Sequence, residues 1–112
     1  MVIDVYSQYF KAECEANGVA RRGALVKLTS DSEAGNVRYT ASVSFFPHAD
    51  EEDFAVSYDA YAERVLFEGR GRRSKKREAA FMETIRAEID EAASELNGTV
   101  FWDEPLLEAR FG

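Results

Sequence analysis

The stretch NVRYTASVSFF, residues 36–46, constrains the fold more than any other part of the chain. Val37, Tyr39, Ala41, Val43 and Phe45 alternate with Arg38, Thr40, Ser42 and Ser44, the two-residue period of a strand with one dry face. Such a strand needs a partner for its backbone N–H and C=O groups. ALVKLT just upstream supplies one, so the spacing predicts a hairpin across the polar loop SDSEAGN, with Pro47 closing the second strand.

Residues 74–97 change period. Phe81, Met82, Ile85, Ile89, Ala92, Ala93 and Leu96 share one helical stripe, Ser74 is placed to cap the N-terminus, and Gly98 to follow the C-cap. At about 1.5 Å per residue this helix is roughly 36 Å long, enough to cross a small sheet. Val2, Val5, Tyr9, Ala12 and Ala16 also fall on one helical side, with Asn17 and Gly18 as a stop signal, which predicts a helix over about 4–17. Residues 50–68 fit both periods; their aromatic and β-branched content favours strand, and 50–62 stays open between the two. GTVFW reads as a short strand, and EPLLEARFG as a last turn opened by Pro105. The expected fold is therefore α+β in one domain, 1–112. It has an N-terminal helix, an antiparallel sheet of three to five strands, a long C-terminal helix packed on one sheet face and a short final strand, in the order α-β-β-β-α-β.

With 112 residues, 46% of them hydrophobic, the chain can bury a core without metal or disulfide. Cys14 is the lone cysteine, and no basic start followed by a long apolar run marks a signal peptide or membrane span, so a cytoplasmic protein with no membrane role is the expectation. His48 is the single histidine, too few for a zinc site or a histidine relay, and DEED at 50–53 lacks the spaced pattern of a calcium loop. Nothing in the pattern supports catalysis, a cofactor or a metal.

Charge is distributed unevenly. GRGRRSKKR, residues 69–77, holds Arg70, Arg72, Arg73, Lys75, Lys76 and Arg77, six of the 14 basic residues. The remaining 8 basic and 21 acidic residues leave a body at −13, for the net −7. With Ser74 as cap, Lys75, Lys76 and Arg77 occupy the first helical positions, where the macrodipole is already positive and acids normally sit. That placement suits an arriving anion: free N–H groups, the forked donors of Arg70, Arg72 and Arg73, and two glycines that let backbone approach closely.

In this order of elements, GRGRRSKK leading into the long second helix resembles the double-stranded RNA-binding domain over roughly residues 4–95. That family has a last strand that runs into a Gly-x-Gly segment and a Ser-Lys-Lys helix start. The resemblance implies that Ser74, Lys75 and Lys76 hold phosphates across the major groove of double-stranded RNA, and that the first helix, near Ser7, Gln8 and Lys11, meets a minor groove.

A second reading treats the chain as an acidic protein-interaction module, in outline similar to the compact chaperones of bacterial secretion systems. The basic stretch is then a rim feature. Trp102, Leu106, Leu107 and Phe111 form an apolar end that could bind another protein or a second copy as a homodimer.

Overall fold

The computed structural model describes residues 1–16, 18–46 and 60–106. Four strands come first: β1 (Val2–Ala16), β2 (Val19–Glu33), β3 (Asn36–Phe46) and β4 (Tyr61–Arg70). Among the described residues one helix, α1 (Lys75–Ser94), and a fifth strand, β5 (Gly98–Leu106), follow. All five strands form one antiparallel sheet in the order β4-β3-β2-β1-β5. The helix leaves one edge strand, β4, and delivers β5 to the far edge, beside β1.

The expected N-terminal helix is absent: residues 2–16 are strand β1, and the order is β-β-β-β-α-β rather than α-β-β-β-α-β. The reason lies in the register. β1 pairs with β2 from Val2↔Asp31 to Ala16↔Val19, but the pairing shifts between Asp4 and Tyr6 and again between Lys11 and Cys14. The first shift skips Val5, so the side facing α1 passes from Ile3 to Tyr6 and the two-residue period loses its parity. Tyr9 adds to the confusion because it points the other way, packing against Phe46 on the sheet's opposite face with ring centroids 5.8 Å apart. Apolar residues on both faces of a bulged strand imitate the three-and-four spacing of a helix.

The β2–β3 hairpin is longer than the alternation alone predicts. SDSE belongs to β2, pairing continues to Glu33↔Asn36, and the turn is reduced to Ala34 and Gly35, both at positive φ (51° and 79°). Residues 61–70 form edge strand β4, with Leu66 skipped between the pairs Tyr39↔Phe67 and Thr40↔Val65. The bulge, together with Glu63, Arg64 and Glu68, protects this edge from pairing with another strand. The other open edge, β5, carries Asp103, Glu104 and Pro105.

The core lies between α1 and one sheet face. Phe10, Ala12 and Cys14 of β1, Val26 and Leu28 of β2, and Val37, Tyr39, Ala41, Val43 and Phe45 of β3 meet Ile85, Ile89, Ala92 and Ala93 of α1, all buried. Each large side chain buried this way stabilises the fold by about 1.5–3 kcal/mol. At its start α1 is capped by Ser74, as the sequence predicts. At its end the cap is Glu95, and Asn97 takes the left-handed conformation at φ 57°. Gly98 is needed for a different reason: a Cβ there would lie 2.5 Å from Cζ of Phe45.

Among the described residues no helix is long and apolar enough to cross a membrane. His48, the acidic run 50–53, Leu107 and Phe111 lie outside the described residues, as does most of 50–62.

Candidate functional site

The basic stretch connects β4 to α1, and backbone contacts fix its course. Gly71, at φ 126°, donates its N–H to the carbonyl of Gly35 at 2.9 Å, which ties the stretch to the β2–β3 turn. Ser74 follows in extended conformation (φ −132°, ψ 119°), and its Oγ accepts the N–H of Arg77 at 3.3 Å. Its own N–H donates to the Tyr39 hydroxyl at 2.9 Å, so the cap residue is anchored to β3 as well as to the helix.

Beneath the cap lies a buried polar cluster. The Tyr39 hydroxyl donates to Oε2 of Glu78 at 2.6 Å, and Arg73 donates to the same carboxylate through Nε and a terminal guanidinium nitrogen, both at 3.0 Å. Tyr39 is fully buried and Glu78 is 7% exposed. The forked hydrogen bond from Arg73 holds the Glu78 carboxyl below its ordinary pKa, with the Tyr39 hydrogen bond adding to the effect and burial opposing it. Burial raises the pKa of the Tyr39 phenol, reinforced by its bond to Glu78. A charge removed from water needs this degree of satisfaction to persist.

Two of the six cations are thus committed to the fold. Arg73 is bound to Glu78, and Arg77 lies over the Phe67 ring, its guanidinium carbon 3.7 Å from the centroid. Phe67 in turn packs over Gly69, where a Cβ would come within 3.1 Å of the ring. Arg70, Arg72, Lys75 and Lys76 are exposed and form no ion pair among the described residues. These four cations stand around a rigid helix start whose first N–H groups carry partial positive charge.

Carboxylates stand next to them. A groove of about 560 Å³ is lined by Asp31, Glu33, Asn36, Arg38, Glu68 and Gly69 among others, and Arg38 and Glu68, opposed in register on β3 and β4, form an ion pair. Asn36 pairs with Arg70, so the groove adjoins the basic edge.

The other expected site residues lie elsewhere. Ser7, Gln8 and Lys11 are on β1, separated from β4 by β2 and β3, which is about 14 Å at ordinary strand spacing. Gln8 donates to the Leu106 carbonyl at 2.7 Å, and Lys11 pairs with Glu104 at 3.8 Å. The structure does not bring them to the basic edge. Trp102 packs edge-on against Phe10 at 5.0 Å and donates its indole N–H to Asp90 at 2.9 Å, while Leu106 pairs with Tyr9. Both are engaged within the chain.

Glu78, Tyr39 and Phe67 were not singled out as site residues from sequence. The available signal was Glu78, the one acid in the first turn of a helix start crowded with cations. No protein-family model matches the chain, and neither a curated protein nor a solved structure matches it.

Proposed function

We propose that the protein binds the phosphate backbone of nucleic acid, with double-stranded RNA as the first ligand to test, through Arg70, Arg72, Lys75 and Lys76. One observation carries the reading: the cluster divides into two cations held by Glu78 and Phe67 and four that form no ion pair among the described residues, around a helix N-terminus anchored through Ser74. Cations at that end act against the helix dipole by about 0.3–1 kcal/mol each, a cost that an arriving phosphate would reverse. Arg73 and Arg77 then shape the edge without contacting phosphate. Ser7, Gln8 and Lys11 have no part in the same contact, so recognition rests on one patch and follows charge and shape more than sequence. The acidic body does not forbid this, since charges beyond about 8 Å are largely screened at physiological salt.

The test is a fluorescence titration with double-stranded RNA, single-stranded RNA and double-stranded DNA across a salt series. Four phosphate contacts give log affinity against log salt a slope between about −3 and −4. No binding at low salt would overturn the proposal and turn the search to protein partners.

A further inference from the structure

The outer surface of α1 carries its charges the wrong way round for its own dipole. Lys75, Lys76 and Arg77 sit at the start, while Glu88, Asp90, Glu91 and Glu95 crowd the far end, whose last turn has no basic residue. Each placement is unfavourable by itself. A single neighbour relieves both: another helix of the same sequence running antiparallel, which sets each acidic end beside the other's basic start.

The spacing on the exposed face allows this. Directly opposite the buried stripe lie Lys76, Ala80, Glu83 and Ala87, all exposed, flanked by Thr84 and Glu91. A twofold axis between Glu83 and Thr84 sets Lys76 against Glu91 of the second copy, Ala80 against Ala87, and Glu83 against Thr84. Each pair then occurs twice, as an isologous contact requires. Glu83 and Thr84 stand at the crossing itself and the small Ala80 and Ala87 lie one turn to either side, which sets the axes at the wider end of ordinary helix packing, about 10 Å. Arg64 already pairs with Glu95 at 2.9 Å and Trp102 takes Asp90, which leaves Lys76 and Glu91 without ion pairs among the described residues.

We propose that the protein self-associates through α1 as an antiparallel, charge-paired homodimer. The contact area of one helix face places it among weak, reversible complexes, below about 1,200 Å² in total. This interface goes beyond the nucleic-acid reading and stands on a different observation, the acidic far end of α1. Arg70, Arg72 and Lys75 remain outside the pairing.

Sedimentation velocity on the full chain tests it. The wild type should sediment as a monomer–dimer mixture at about 20 mM salt and as monomer at about 500 mM, where the Debye length is only a few ångströms. Lys76→Glu and Glu91→Lys should each weaken the dimer about tenfold or more, since each removes two symmetric attractions and creates two repulsions. The double variant should restore it. Lys76→Glu corrects the charge placement at the helix start, so its melting temperature should hold or rise; Glu91→Lys also sets a cation near Arg64, so for it a dimer restored in the double variant is what excludes unfolding as the cause. A monomeric wild type at low salt, or a double variant that stays monomeric while the singles do, overturns the proposal. Glu91→Lys separates the two readings: it should weaken the dimer about tenfold or more while the phosphate-contacting cations stay intact.

Discussion

Tyr39 on β3 and Glu78 on α1 share a 2.6 Å hydrogen bond inside the core, the point at which the sheet fixes the helix start. Arg73 closes the same carboxylate from above. Because the folded pKa of Glu78 lies below its unfolded value, its stabilisation is fully present above the unfolded carboxyl range, about pH 4.3, and is lost as pH falls through the folded value. The stability gap between wild type and Glu78→Gln should therefore be wide at about pH 7 and narrow at about pH 3 in urea titrations. An equal gap at both pH values would show that the carboxylate charge is not what matters. Tyr39→Phe should cost about 1–2 kcal/mol, since it orphans the Ser74 N–H and one carboxylate contact.

Gly98 opens β5 where it pairs with Cys14, and the Phe45 ring occupies the space a side chain would need. Phe45 is fully buried, so its ring could yield only by displacing its core neighbours. Gly98→Ala should destabilise by about 1–3 kcal/mol, the range for overpacking. A thermal melt checks it, and a variant as stable as wild type would mean that the ring yields.

Ser30 is completely buried, and its Oγ has no hydrogen-bond partner among the described residues. A lone hydroxyl in that position carries a desolvation cost of about 1–3 kcal/mol. Ser30→Ala should raise stability by about 1 kcal/mol in urea titrations, the lost contacts of one oxygen offsetting part of the gain. A loss of stability would reveal a hydrogen bond that the geometry does not display.

At the basic edge, Arg72→Glu and Lys75→Glu should each remove a phosphate contact and reduce the salt slope of RNA binding by about 0.9. Arg72→Glu should leave the melting temperature unchanged, because Arg72 forms no ion pair among the described residues, whereas Lys75→Glu also removes a favourable charge near the Glu78 carboxylate and should lower it slightly. An unchanged slope in both variants would place any binding elsewhere on the surface.

The hairpin, the long helix and its Ser74 cap were legible because each keeps one period and one burial face from end to end. β1 was not, since Val5 breaks its parity and Tyr9 adds an apolar residue to the wrong face. The basic cluster was visible as composition, but its division was not. Which cations turn inward depends on Phe67 and Glu78, and only the register of β4 against β3 places Phe67 beside Tyr39. The resemblance to the double-stranded RNA-binding domain rested on the expected order of elements together with the sequence around Ser74, and the N-terminal helix of that order is replaced by a strand.

The pairing of β1 with β5 has a consequence for synthesis on the ribosome. Gln8 meets Leu106 across 98 residues, so β1 emerges long before the strand that satisfies its outer edge. Strands β1 to β4 can assemble as successive hairpins while the chain grows, but α1 arrives after them and β5 later still. Until then the nascent sheet exposes the whole apolar face that α1 will cover, together with an unpaired β1 edge. The interval between translating Arg70 and releasing Leu106 is therefore when this chain is most open to aggregation or to a chaperone, and slow codons in that window would lengthen the exposure.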